Sequence, residues 1–325
     1  MQTEGVTRRG FLKQAGWLGA GLALAPRIVA RGEQTASPAP QPVGRVQQFR
    51  ALGATTPVKL TKLRDTLFLL QGVGGNMVAQ TGPDGNLLID SSASTATQHL
   101  KEALAQVGAR PTKLLINTHW HYDHTDGNAA VHDDLGAFIL AQENTRKRLS
   151  TPQVIAFFKL HLEPSPTSGL PQETFAESEK LYFNNDALDL VHMPAAHTDS
   201  DIYIHFVNGN VLHAGDIFFN GFYPFIDASS GGHIAGMIGG ANACLAVTDD
   251  KSKIVPGHGP LGDRVALTRY RDMLQTVADR VEKLKSGGQT LDEAIAAKPT
   301  ADLDAVWAKG SITPDQFVEL VYTTL

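Results

Sequence analysis

The chain has 325 residues, with 28 Lys and Arg against 33 Asp and Glu for a formal charge of −5, and 42% of it is hydrophobic. That length supports a sizeable core, the composition excludes a disordered chain, and an acidic balance without a long basic run argues against nucleic-acid binding. The single cysteine, Cys244, excludes an intrachain disulfide and a cysteine-based zinc site. In ANACLAV it reads as a small buried apolar residue.

The first 30 residues read as an export signal. TRRGFLKQ (Thr7–Gln14) precedes AGWLGAGLALA (Ala15–Ala25), an apolar run too short to span a bilayer comfortably. Arg8-Arg9 followed by Phe11-Leu12-Lys13 resembles the twin-arginine signal of bacteria, an address read by a translocation machinery that exports folded proteins. Cleavage near Ala30 would leave a periplasmic or secreted protein with no stable membrane span. Residues 31–57, rich in Pro, Gln, Ala and Ser, read as a linker or surface arm, and residues 58–325 as the folded domain.

From Val58 the pattern is that of strands: VKLTKL, TLFLLQ, then NMVAQTGPDGNLLID as a hairpin turning at Pro83-Asp84-Gly85. A helix follows, capped by Ser94 or Thr95, with apolar spacing through Leu100, Ala103, Leu104 and Val107. KLLIN (Lys113–Asn117) and GAFILA are strands, and a helix runs from about Gln142 to Leu149. Thr151–Gln172 is long, Pro-punctuated and partly apolar, the pattern of a functional lid in which Phe157 and Phe158 are hydrophobic candidates. Strands are expected at TFAESEKLYF, ALDLVHM, DIYIHFV, NVLHAGD and KIVP, and helices over Ile234–Val247, Val265–Lys285, Leu291–Ala297 and Pro314–Thr324. Two sheets packed together with helices outside, a four-layer α/β arrangement, fit this order.

INTHWHYDHTDG, directly after KLLI, places three histidines and two aspartates in eight positions. Packing does not ask for this, because each such side chain, once buried, needs its own partner. A metal site does. Residues two apart point the same way, so His119 and His121 can share one ion, while Asp123 and His124 can face a second. Imidazole with carboxylate suits zinc, and less selectively iron or manganese. Three later strand ends offer further ligands: His197 in MPAAHTDSD, Asp216 in VLHAGDIFF and His258 in KIVPGHGPL.

H-x-H-x-D-H, a downstream His before Thr, Gly-Asp at a strand end and P-G-H-G, in that order behind a GGN…LLID hairpin, resemble the metallo-β-lactamase superfamily. The resemblance spans roughly Val58 to Leu261 and implies an αββα sandwich, here with extra C-terminal helices. It implies two Zn²⁺, the first held by His119, His121 and His197, the second by Asp123, His124 and His258, with Asp216 bridging. It further implies a hydrolase in which a metal-bridging hydroxide attacks the carbonyl of a small β-lactam, lactone, ester or thioester. Asp123 would orient that nucleophile and pass a proton to the leaving group. The sequence departs from lactamases with a cysteine at the Asp216 position, lacking both that cysteine and the lysine three residues on. Its aspartate looks more like glyoxalase II, lactonase and related branches. The alternative is an iron-dependent oxidoreductase on the same fold, similar to persulfide dioxygenases. Having all seven ligand positions filled argues against a mononuclear iron site.

Tyr223, in NGFYPFIDASSGG, is the candidate catalytic hydroxyl, able to touch a carbonyl oxygen beside Phe222 and Phe225; these aromatics can equally pack the second half of the fold. Asp90 can orient a ligand histidine or cap a turn. The remaining histidines (His99, His132, His161, His192, His205, His213 and His233) are expected to be structural or exposed.

Overall fold

The computed structural model describes residues 44–108 and 110–325; the export signal, its cleavage site and residues 31–43 of the expected arm lie outside them. The chain forms α1 (Arg45–Gly53), β1 (Lys59–Lys62), β2 (Leu67–Gln71), β3 (Met77–Gly82), β4 (Gly85–Ile89), α2 (Thr97–Val107), β5 (Thr112–Ile116), α3 (Tyr122–Thr125), α4 (Asn128–Leu135), β6 (Phe138–Gln142) and α5 (Glu143–Leu149). It continues through β7 (Gln153–Ile155), β8 (Leu160–Leu162), β9 (Glu173–Phe175), β10 (Ser178–Phe183), β11 (Asp186–His192), β12 (Ile202–Phe206) and β13 (Val211–His213). Last come α6 (Ile234–Ala246), β14 (Lys253–Val255), α7 (Arg264–Ser286), α8 (Leu291–Ala296), α9 (Asp304–Trp307) and α10 (Pro314–Thr323).

Seven strands form one sheet in the order β1-β2-β3-β4-β5-β6-β9, and five form a second in the order β10-β11-β12-β13-β14. Strands β1 to β4 pair antiparallel and β4-β5-β6-β9 parallel, whereas in the second sheet only β13 and β14 are parallel. Side-chain alternation sorts the layers. Val78, Leu87, Ile89 and Ile116 meet Leu188, Leu190, Ile202, Ile204 and Phe206 in a core between the sheets. Their neighbours Met77, Ala79, Leu88 and Leu115 face the other way, onto Leu100, Ala103 and Leu104 of α2 and Val131 of α4. On the far side Tyr203, Leu212 and Ile254 pack against Met237, Ala241, Leu267, Tyr270, Leu274, Phe317 and Val321 of α6, α7 and α10. The result is the four-layer αββα sandwich, with the C-terminal helices covering the second sheet.

Four expectations change. The compact unit runs from Val43 to Leu325, so it begins before Val58, and part of the expected arm is the helix α1. Its sequence, RVQQFRALG, has a weak apolar stripe, and the helix is held by docking: Phe49 is buried edge-on against Tyr122, ring centroids 5.2 Å apart. TFAESEKLYF is not one strand: β9 pairs with β6 in the first sheet and β10 with β11 in the second. The long segment after Ser150 is not structureless, since β7 and β8 form a hairpin with Phe157 and Phe158 at its tip. Finally, α2 starts at Thr97 behind a 3₁₀ turn over Ser94–Ala96, and neither Ser94 nor Thr95 caps it. No helix among the described residues is long and apolar enough to cross a membrane.

Candidate metal centre

The candidate ligands lie at strand ends on one edge of the sandwich. The stretch from Thr118 to Thr125 follows β5, His197 lies between β11 and β12, Asp216 follows β13 and His258 follows β14. His121 is extended (φ −60°, ψ 145°) and caps α3, whose single turn carries Asp123 and His124. That switch from strand to helix divides the run: His119 and His121 look one way, Asp123 and His124 another. Close backbone approach completes the site at two glycines. A Cβ on Gly75 would sit 2.1 Å from the His124 ring, and one on Gly257 would sit 1.9 Å from Asp216 Oδ1.

Two groups result, His119, His121, His197 and Asp216 in one, and Asp123, His124 and His258 in the other, each with its donor atoms within 4.8 Å of one another. In the first, His197 Nε2 lies 2.8 Å from His121 Nδ1, and Asp216 Oδ2 lies 3.4 Å from His197 Nε2 and 3.9 Å from His119 Nε2. In the second, His258 Nε2 is 3.2 Å from Asp123 Oδ2 and 3.3 Å from His124 Nε2. Asp216 joins them, with Oδ1 3.2 Å from His124 Nε2 and Oδ2 3.4 Å from His258 Nε2. Tetrahedral zinc with bonds of about 2.0–2.1 Å separates its donors by about 3.3 Å, so this donor set fits a divalent metal. Two buried atoms support the fit: His119 Nε2 and Asp216 Oδ1 have no hydrogen-bond partner, although polar neighbours are close. His119 Nε2 belongs to the first group and Asp216 Oδ1 lies toward His124 of the second, and a buried polar atom left without a partner is costly unless a cation satisfies it.

The two groups differ electrostatically in the metal-free state. Burial lowers His197 to about 4, and burial together with the adjacent His124 holds His119 well below its ordinary value. Both are neutral at pH 7, as metal ligands must be. In the second group burial favours neutral His258, but Asp216 and Asp123 outweigh it and raise the imidazole to about 9. Burial likewise opposes a charge on His124, and Asp216, Asp123 and Asp90 together push it well upward. Burial opposes ionisation of Asp216 too, yet His258, His124 and His197 hold its carboxyl well below the usual range.

Four of the five candidate ligand rings are oriented from behind. Asp90, itself in the left-handed region (φ 61°), accepts from His124 Nδ1 at 2.7 Å, from the Thr118 hydroxyl at 2.7 Å and from the Thr118 N–H at 2.8 Å. Of its two readings, ligand orientation is the one realised. Thr118 Oγ1 lies 3.1 Å from His119 Nδ1, so one carboxylate sets two histidines, one directly and one through a hydroxyl. His121 Nε2 lies 3.0 Å from Asp227 Oδ2, and His197 Nδ1 donates to the Phe225 carbonyl at 2.8 Å. Asn76 holds the His258 loop, its amide donating to the Pro256 and Gly259 carbonyls at 2.9 Å each. Sequence reasoning misses Thr118, Asp227 and Asn76, because a lone Thr, Asp or Asn gives no periodic signal. Among the other histidines, His213 Nε2 bonds the Asn76 carbonyl at 3.0 Å and His192 Nε2 the Asp199 carbonyl at 2.9 Å, both structural roles.

Tyr223 requires correction. It is buried, its ring stacks on Phe317 of α10 at 4.6 Å, and its hydroxyl donates to Asp304 at 2.8 Å, so it serves the C-terminal helices. Two residues on, Phe225 is the aromatic beside the ligands, 6.0 Å from the His121 ring and 5.5 Å from the His197 ring. Phe157 and Phe158 of the β7–β8 hairpin pack on Phe225 at 5.6 and 4.7 Å, and the Arg45 guanidinium lies 4.0 Å over Phe158. Between α1, the Trp120–Tyr122 segment and the return of the hairpin lies a crevice of about 450 Å³, within the size range of small-molecule sites.

The sequence profile of the metallo-beta-lactamase superfamily matches residues 70–258, which include every candidate ligand. The chain belongs to this superfamily. A protein similar in sequence is the probable metallo-hydrolase MJ0888 of Methanocaldococcus jannaschii, 28% identical over 188 residues, covering 56% of this chain and 87% of that one. Solved structures share the fold: a metallo-beta-lactamase from Pontibacter korlensis has a TM-score of 0.55 at 18% identity, over 67% of this chain and 99% of its own. The stereoselective inverting sec-alkylsulfatase Pisa1 from Pseudomonas sp. reaches 0.61 at 19% identity, over 82% of this chain and 50% of its own. At those identities the likeness is one of fold. Superfamily membership and the His/Asp groups make this chain a metallo-hydrolase-type protein with a divalent-metal site.

Proposed function

We propose that the protein is an exported dinuclear-zinc hydrolase of small carbonyl compounds, acting on a lactone, ester, thioester or β-lactam. The observation that carries this reading is Asp216, whose two carboxylate oxygens face donors of both ligand groups, His197 on one side and His124 on the other. His119, His121 and His197 would hold one ion, Asp123, His124 and His258 the other, with Asp216 shared. Zinc in such a site supplies Lewis acidity and brings the pKa of a coordinated water from 15.7 to about 7.

The chain's own residues do the rest. The Asp123 carboxylate, partly exposed and 3.2 Å from His258 Nε2, orients the attacking water and can carry its proton to the leaving group. Phe225, Phe157 and Phe158 exclude solvent and favour an apolar acyl group beside the ligands. The Arg8-Arg9 signal supports twin-arginine export and a periplasmic or secreted location.

The test is hydrolysis of a chromogenic cephalosporin and of matched ester, lactone and thioester substrates by zinc-loaded protein, with and without chelator. Turnover of at least one class, abolished by chelation and restored by zinc, is expected. Protein holding two zinc ions per chain that turns over none of them overturns the reading, as does native protein carrying iron and no zinc.

A further inference from the structure

We infer that Ser229 is a positioning residue that ties the β7–β8 hairpin to the first ligand group, so that docking of the hairpin and cation binding at His119, His121 and His197 are linked. The inference rests on reading these residues as a metal centre and concerns its control. The Ser229 hydroxyl lies 3.2 Å from the Ala156 N–H and 3.2 Å from the Val154 carbonyl, both in or next to the hairpin, and it contacts Asp227 Oδ1. A hydroxyl has one proton to give and lone pairs to accept with. Bonded to an ionised carboxylate it gives that proton to Asp227 and accepts the Ala156 N–H. Asp227 Oδ2 in turn accepts from His121 Nε2 at 3.0 Å, and from Ser230 Oγ at 2.6 Å.

A continuous chain therefore runs from the hairpin backbone through Ser229 and Asp227 to a ligand ring whose other nitrogen, Nδ1, faces His197. A cation on Nδ1 polarises the imidazole and strengthens its Nε2–H as a donor, which propagates along the chain. A second tether runs in parallel. Phe157 and Phe158 rest on Phe225, whose carbonyl accepts from His197 Nδ1. Both tethers end on the first group. His124 in the second is held by Asp90 and the loop of His258 by Asn76, so neither of those supports passes through the hairpin. Coupling between cation and hairpin is reciprocal by thermodynamic necessity.

The experiment uses full-length protein, titrated with Co²⁺ or Zn²⁺ against a competing chelator, with tryptic cleavage after the exposed hairpin residue Lys159 as a readout independent of activity. In wild type, cation loading should slow that cleavage. Ser229→Ala should weaken the first binding step by about tenfold, leave the second step unchanged and remove the protection. Ser229→Thr, which keeps the hydroxyl, should restore both. Ala156→Pro deletes the donor at the first position of a 3₁₀ turn, where proline fits, and should reproduce the alanine phenotype if Ser229→Ala folds poorly. Wild-type affinity together with intact protection in Ser229→Ala or in Ala156→Pro overturns the inference and leaves the metal centre standing. Failure of the wild-type protein to bind either cation overturns both.

Discussion

Tyr223 and Phe225 sit two residues apart in one loop, yet one faces the C-terminal helices and the other the ligand histidines. Tyr223→Phe removes the hydrogen bond to Asp304 and nothing at the metal centre. It should cost about 1 kcal/mol of stability with kcat unchanged, read by denaturant unfolding beside an activity assay. An equal fall in kcat and kcat/KM would return that hydroxyl to the chemistry. The seven candidate ligands, which the fold gathers into two groups, are legible in the sequence because histidine and aspartate are costly to bury without a purpose. Tyr223 misleads for a complementary reason: an aromatic with a polar tip suits a pocket wall or a core equally, and the next helix decides.

At the scale of elements, α1 matters most for the site's outer face. Two contacts fasten it to the ligand turn: Phe49 edge-on to Tyr122, and Arg50 to Asp126, with Nε to Oδ2 at 3.1 Å and Nη2 to Oδ1 at 2.5 Å. Arg50 is half exposed, and ion pairs of that kind contribute at most about 1 kcal/mol. Burial of Phe49 contributes more, since large-to-small changes at buried aromatics cost about 3–5 kcal/mol in a full core and somewhat less at an edge. Phe49→Ala should therefore lower stability by about 2 kcal/mol and Arg50→Gln by less than about 1 kcal/mol, both read by denaturant unfolding. The reverse ranking would mean that charge holds the helix. This element is invisible in the sequence because its stability comes from a partner about seventy positions away. The break between β9 and β10 is hidden for a related reason: both halves have strand character, and only pairing assigns them to different sheets.

The whole molecule carries the pH dependence, because Asp216 makes one electrostatic unit of ligands drawn from both halves of the sandwich. With no cation bound, burial works against the charge on His258, but Asp216 and Asp123 raise its folded-state value from 6.5 to about 9. A group raised in this way adds stability that is fully present below its unfolded value and lost as pH rises through about 9. Metal-free protein should thus lose this contribution between pH 6.5 and about 9. A cation at the second group must displace this proton and the one on His124, whose value is also pushed well upward, so its affinity should rise with pH through this range, by up to about a hundredfold per unit. The first group, with His119 and His197 already neutral at pH 7, should release few protons. Calorimetric zinc titrations in buffers of different ionisation heat check this. Equal proton release in both steps would contradict it.

What the sequence by itself determined were the features written in local terms: strand alternation, the helices at the C-terminal end, and ligand types placed after strands. Each follows from side-chain chemistry at short spacing, where burying His or Asp without a partner is too costly to be incidental. Tertiary structure alone decided what depends on long-range neighbours. It gave Asp90, Asp227 and the Phe225 carbonyl their hold on His124, His121 and His197, from 34, 106 and 28 positions away. It also turned Tyr223 from the site and set Phe225 there. A carboxylate or carbonyl has no periodicity to announce its partner; only packing the two sheets together brings it within about 3 Å of a particular ring nitrogen.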